Sequence, residues 1–215
     1  MDTKIDDLTT TMDNVSLEQE GKEVSPPLPE MFYILDGINF PTNGRRLGFP
    51  KFKGGILGTS QHRCRQYPPN LSNLSKKHTA EWDFIKNWSY DNVPPEIEWN
   101  CIQVNKNLVC PAHRDKANIG NSFIIAFGDY VGCNLVVEDL SGNEVEHDIR
   151  TGLVYNGYIQ RHYNTPLISG TKYTLVFFKN KLPHFSEFEF PEKGDPLNLP
   201  TDVSPDDDDE DCGDL

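Results

Sequence analysis

The sequence predicts a mainly β chain, a β-sandwich or jelly roll, with flanking helices on its N-terminal side. Three observations lead there. Six short β-type runs follow one another from residue 97 onward: IEWNCIQVN, SFIIAFG, NLVVEDL, NEVEHDI, GLVYNGYI and KYTLVFFK. Turn sequences such as Ser141-Gly142-Asn143 and Thr151-Gly152 separate them, as strands joined by short loops require. Only one stretch carries a convincing helical period. Many short strands with tight turns and little helix fit a double-layered or closed β architecture.

Taken in order, residues 1–29 are polar and acidic, with a Pro pair in SPPLPE and no period that would bury a face, so we expect a disordered N-terminal segment. MFYILDGINF then reads as a strand-like apolar run, and PTNGRRLGFPKFKGG as a loop from its Gly and Pro content. In SKKHTAEWDFIKNWSY, residues Trp82, Phe84, Ile85 and Trp88 recur at helical spacing, with Thr79 as N-cap. The six β-type runs follow. From residue 183 the chain becomes Pro-containing and then strongly acidic, a composition that cannot build a core. The expected organisation is therefore one domain over residues 30–182 between two disordered acidic tails, a length that suits a single core. No internal repeat is visible.

The formal charge of −13 hides an uneven distribution. Residues 1–30 carry −6 and residues 183–215 carry −11, which leaves +4 on the segment between them. A basic middle fits an anionic partner or nucleic acid, and the tails either compete for the same patch or only solubilise the chain. Arg45, Arg46, Lys51 and Lys53 lie in the expected loop with Phe49 and Phe52, a mixture suited to phosphate contact with base stacking. The five cysteines form no Cys-x-x-Cys pair, which disfavours a disulfide framework and a cysteine zinc site. No apolar run approaches the roughly 18 residues of a membrane span, and the N-terminus lacks the basic-then-apolar order of a signal peptide. We expect an intracellular monomer, nuclear or cytoplasmic, neither secreted nor bound to membrane.

The stretch CPAHRDKAN carries the chemistry. On an extended segment, side chains two apart point to one side, so His113 and Asp115 would project into the same cavity. A third ligand must come from elsewhere. His62, His78, His147, His162 and His184 are available, and His162 is best placed, between GLVYNGYI and the last strand. His147 lies in an alternating polar strand that reads as a solvent-facing hairpin, and His184 lies in the acidic tail. Two imidazoles and one carboxylate leave three positions of a metal open, the donor set of non-haem Fe(II) oxygenases. A 2-oxoacid on that open side needs a cation for its distant carboxylate. Lys172 stands ten residues after His162 at the start of the last strand, and Thr174 adds a hydroxyl two residues on. An unpaired ammonium among apolar side chains is otherwise costly.

These residues resemble the 2-oxoglutarate- and Fe(II)-dependent dioxygenases of the double-stranded β-helix (cupin-like) class, and within it the TET/JBP group, which oxidises the 5-methyl group of pyrimidines in DNA. HRDKAN is similar to the His-Arg-Asp-x-x-Asn of the TET enzymes, and SFIIAFGDYVGCNLVVED to the group's Gly-Asp-aromatic-x-Gly-Gly hairpin. The resemblance covers about residues 95–180 and, more weakly, GINFPTNGRRLGF. It implies that His113, Asp115 and His162 bind iron and that Lys172 holds the 2-oxoglutarate C5 carboxylate, with Thr174 and Asn105 assisting. It also implies that Asn118 bonds the flipped base. Fe(II), 2-oxoglutarate and dioxygen are the implied cofactors, ascorbate a stimulant, succinate and carbon dioxide the co-products, and methylated DNA the partner. The sequence departs from the group at Lys172, where Arg is usual, at Gly132-Cys133, where Gly-Gly is usual, and in having no zinc-finger module alongside.

Two other readings stay open. One keeps the oxygenase and changes the substrate to a protein side chain or small molecule. The other is a cupin-like metal-binding module without catalysis. Phe123, Ile125 and Phe127 read most simply as core, and Tyr155 and Tyr158 as barrel-wall packing.

Overall fold

Alternation of large apolar residues along the longest strands decides how the layers assemble. The computed structural model describes residues 29–43, 50–60, 70–116 and 118–180. Helix α1 (Pro29–Gly37) comes first, then strands β1 (Thr42–Asn43), β2 (Phe52–Ser60) and β3 (Asn70–Leu71), followed by helices α2 (Asn73–Lys77) and α3 (Thr79–Asn92). The strands continue as β4 (Cys101–Lys106), β5 (Asn118–Phe127), β6 (Val131–Gly132), β7 (Leu135–Glu138) and β8 (Glu144–His147). After a single 3-10 turn come β9 (Leu153–Tyr155), β10 (His162–Asn164), β11 (Leu167–Ser169) and β12 (Tyr173–Asn180).

The large sheet runs β1-β2-β4-β12-β5-β9, with β3 added to β2, and the smaller sheets run β10-β7-β8 and β11-β6. All pairings are antiparallel. The last strand inserts between β4 and β5, the crossover that makes this a double-stranded β-helix rather than a meander. On β5 and β12, Phe123, Ile125, Phe127, Tyr173, Leu175 and Phe177 face one way and share a core with Met31, Leu35, Trp82, Ile85 and Trp88 of the helices. The intervening Ile124, Ala126 and Val176 face the other way, onto Leu135, Val137 and Tyr155. The period of two thus buries both faces of the large sheet, one under helices and one under the small sheet. Helix α1 is tied down at its end by Asp36, whose Oδ1 accepts from Tyr173 Oη at 2.6 Å and from Lys106 Nζ at 2.9 Å. Those two bonds hold the Asp36 carboxyl below the usual carboxylate range. No helix among the described residues is long and apolar enough to cross a membrane.

All six β-type runs become strands. Three readings of the N-terminal half change. The run MFYILDGINF is mainly helix α1, not a strand, because Met31, Leu35 and Ile38 form a stripe at helical spacing that the core buries, while Tyr33 points out. The Gly-containing segment read as loop forms the start of β2: a Cβ on Gly54 would lie 2.4 Å from the Val104 carbonyl, so glycine lets two strands approach closely. Thr79 is the first helical residue of α3 rather than its cap, a place taken by His78, because the short helix α2 ends there. Residues 1–28 of the expected N-terminal tail and all of the expected C-terminal tail, 183–215, lie outside the described residues, as do residues 181–182.

Candidate metal centre

His113 and His162 come together because their backbones pair. The N–H of each donates to the other's carbonyl at 3.0 Å, an isolated antiparallel bridge. The imidazoles lie 4.3 Å apart between centroids. Asp115 follows on extended chain and reaches the same spot: its Oδ1 is 3.4 Å from His113 Nε2 and its Oδ2 is 3.8 Å from His162 Nε2. One ligand atom from each residue falls within 4.8 Å of the others. The structure therefore brings together the three side chains singled out by spacing.

The surrounding groups orient this donor set. His113 Nδ1 lies 2.9 Å from the Pro111 carbonyl and His162 Nδ1 lies 3.0 Å from the Gln160 carbonyl. A carbonyl only accepts, so both Nδ1 atoms carry a proton and both Nε2 atoms face the shared space, the usual arrangement behind a metal-ligating histidine. Burial pushes the His162 imidazole down, keeping it neutral. Burial also pushes His113 down, but its contacts with Asp115, Cys110 and the Pro111 carbonyl outweigh that and lift it to about 10. The Asp115 N–H donates to the Gly157 carbonyl at 2.7 Å. Gly157 leaves room for the carboxylate, since a Cβ there would lie 2.5 Å from Asp115 Oδ2. Tyr155, buried as expected, packs its ring edge-on against His162 at 5.0 Å. Two imidazoles and a carboxylate with fixed outer partners fit a divalent first-row metal, and Fe(II) among them, once His113 releases its Nε2 proton as the metal binds.

Lys172 is 2 % exposed, immediately before β12. Its ammonium donates to the Cys133 carbonyl and lies 5.0 Å from the centre of the Tyr130 ring. Burial pushes it down, against the pull of Cys133. Cys110, whose Sγ lies 3.4 Å from His113 Nδ1, interacts electrostatically with Cys133, the residue whose carbonyl Lys172 holds. Asn105 and Thr174, partners across β4 and β12, are joined by a bond from Asn105 Nδ2 to Thr174 Oγ1 at 3.1 Å, and Gln103 donates to Asn105 in turn. Both are buried.

Asn118 lies beside Asp115. Its Nδ2 donates to Asp115 Oδ2 at 3.1 Å and to Ser122 Oγ at 3.4 Å. Lys51, Lys53, Lys76 and Lys77 are exposed and can meet a polyanion, whereas Arg45 and Arg46 lie outside the described residues. His147 sits on β8, an outer strand with mostly exposed side chains, away from the triad. Sequence reasoning passed over Gly157, whose contact with Asp115 is non-local, and Cys110 and Ser122, which touch His113 and Asn118 only three and four residues away. At the Gly132-Cys133 departure, Cys133 keeps the left-handed backbone, φ +55°, that glycine serves more readily.

No family model matches the chain, and no curated protein matches it. Solved structures do. NgTET1 in complex with 5mC DNA is 13% identical over 73% of this chain and 69% of that one, with a TM-score of 0.50. An oxidoreductase of the 2OG-Fe(II) oxygenase family from Burkholderia pseudomallei is 14% identical over 71% of this chain and 78% of that one, TM-score 0.43. OsALKBH1 is 12% identical over 70% and 90%, TM-score 0.43. At such identity the likeness to NgTET1 establishes a shared fold.

Proposed function

We propose that residues 30–182 form a 2-oxoglutarate- and Fe(II)-dependent dioxygenase that oxidises the 5-methyl group of a pyrimidine in DNA, with 5-methylcytosine as the preferred base. The observation that carries this reading is the convergence of His113, Asp115 and His162, in a fold that also buries Lys172 immediately before its last strand. A purely structural metal site has no use for Lys172.

Bound together, Fe(II), 2-oxoglutarate and dioxygen supply C–H hydroxylation coupled to release of succinate and carbon dioxide. The chain's own contribution is binding and orientation. His113 and His162 offer their Nε2 atoms, and Asp115 offers a carboxylate oxygen. Lys172 supplies the cation for the distant carboxylate of the 2-oxoacid, and the Asn105–Thr174 pair supplies polar groups two residues along the same side of β12. Its compact ammonium does this without the two-pronged fork of an arginine. Tyr155 and the barrel wall keep water from the His162 side.

The base preference rests on Asn118. The Asp115 carboxylate only accepts, so Asn118 must turn Nδ2 toward it, and the second Nδ2 hydrogen faces Ser122. The oxygen Oδ1 is then what Asn118 can offer a substrate. An acceptor suits the 4-amino group of 5-methylcytosine and not the 4-carbonyl of thymine.

The test is succinate release by iron-loaded protein with 2-oxoglutarate and ascorbate, with and without 5-methylcytosine DNA, and mass spectrometry of the nucleosides. Oxidised cytosine in the wild type and none in a His113→Ala, Asp115→Ala control is the expected result. Succinate without modified bases would move the substrate to a protein side chain or small molecule, and no succinate would refute the enzyme.

A further inference from the structure

The loop between β9 and β10 is held rigidly by hydrogen bonds yet turns two large apolar side chains to solvent. Within the loop, Asn156 N donates to Gln160 Oε1 at 2.8 Å, Gln160 N donates to the Asn156 carbonyl at 2.8 Å, and Ile159 N donates to the same carbonyl at 3.1 Å. Gln160 Nε2 anchors it to the Glu138 carbonyl of β7 at 3.1 Å. The metal ligands' own segment holds it from the other side. Asp115 N binds the Gly157 carbonyl, and Arg114, between the two ligands, donates from Nε to the Ile159 carbonyl at 2.7 Å. At the tip of this frame Tyr158 and Ile159 are 48% and 55% exposed.

Adjacent apolar side chains held out beside a reaction centre mark a contact surface. The groups around them indicate what it contacts. Exposed Lys116 directly follows Asp115, and exposed Asn121 accepts at Oδ1 from Asn156 Nδ2 at 3.4 Å. A cation and amides bordering an apolar tip fit a phosphodiester strand with stacked bases. A base in a duplex cannot bring its methyl group to a half-buried metal centre without leaving the stack, at a cost of a few kcal/mol. Apolar side chains entering the vacated step offset part of that cost. A pre-ordered loop adds no ordering penalty of its own.

We propose that Tyr158 and Ile159 form a wedge that enters the base stack of duplex DNA where the target base has left it. The proposal rests on the nucleic-acid reading above and adds the surface that opens the duplex. Gly157, one residue before the wedge, touches Asp115, so the gap and the reacting base are neighbours.

The test uses full-length protein and a duplex with the fluorescent analogue 2-aminopurine next to 5-methylcytosine, together with the matching single strand. Wild type and Tyr158→Phe should raise the fluorescence on binding. The double variant Tyr158→Ser, Ile159→Ser should lose that rise. Its ratio of duplex to single-strand oxidation should fall about tenfold, equivalent to about 1.4 kcal/mol. Cobalt(II) titration should give the same affinity for both proteins, which shows that the metal centre is intact. A double variant that opens the duplex as wild type does, or that loses both substrates in proportion, overturns the wedge and leaves the oxygenase reading standing. A wild type that neither opens nor oxidises any nucleic acid overturns both.

Discussion

Replacing Gly157 with alanine tests how closely the metal centre is fitted. The new Cβ would lie 2.5 Å from Asp115 Oδ2, 3.3 Å from its Cγ and 3.3 Å from Tyr155 Cε2. Bringing the first contact to the 3.0–3.4 Å at which real Cβ atoms begin to be found moves the carboxylate by about 0.5–0.9 Å on the steep repulsive side of the contact. The backbone cannot take up that shift freely, because the Gly157 carbonyl holds Asp115 N at 2.7 Å and the Gln160 carbonyl in the same loop orients His162. Loss of an outer partner of a metal ligand typically weakens metal binding by about 10–100-fold, or about 1.4–2.8 kcal/mol. We expect a loss in that range, read by cobalt(II) titration of wild type and variant, with circular dichroism showing the same fold. Unchanged cobalt affinity in Gly157→Ala would refute the fitted-carboxylate argument.

Three further outcomes follow from the same geometry. Lys172→Met should leave thermal stability unchanged or raised, because an apolar side chain replaces a buried ammonium. It should also raise the KM for 2-oxoglutarate by about tenfold or more, the worth of a charge-assisted hydrogen bond; an unchanged KM would separate Lys172 from the co-substrate. Metal binding should depend on pH through one proton. His113, lifted to about 10, is protonated in the metal-free protein and must release that proton, whereas His162, pushed down, is already neutral. Apparent affinity should therefore rise about tenfold per pH unit between about pH 6.5 and 8.5, weakening as pH falls, and a slope near two in a cobalt(II) titration would contradict this assignment. Phe127→Ala should cost about 3–5 kcal/mol of stability in denaturant melts, since Phe127 is buried under α3 against Trp88 at 5.6 Å. Metal affinity of the folded variant should be unchanged, because Phe127 faces the helices and not the barrel.

What was legible in the sequence was local or periodic. His113 and Asp115 share a side because extended chain repeats every two residues, and strands β5 and β12 could be read from their β-branched and aromatic runs. His162 was the best placed histidine because its position between two strand runs bears on which strands pair. Helix α1 was misread because Phe, Tyr and Ile suit either structure in a short apolar run, and only the core it meets selects the stripe Met31, Leu35, Ile38. Gly54 and Gly55 read as loop for the same reason: the value of a missing Cβ inside a strand depends on the backbone across from it. Gly157 was invisible because its partner, Asp115, meets it only once distant segments pack together, and Ser122 because a regular strand does not bring side chains four residues apart, Asn118 and Ser122, into contact. Asn118 was found by resemblance, but its bond to Asp115 required coordinates.

The most direct test of the central claim is the fate of isotopically labelled dioxygen in a single-turnover reaction with 2-oxoglutarate and 5-methylcytosine DNA. If His113, Asp115, His162 and Lys172 form the site described, one labelled atom enters succinate and the other enters the oxidised methyl group. The two products form in equal amounts, and none forms in the Asp115→Ala variant. Unlabelled hydroxymethyl product, or succinate formed equally by wild type and Asp115→Ala, would contradict it.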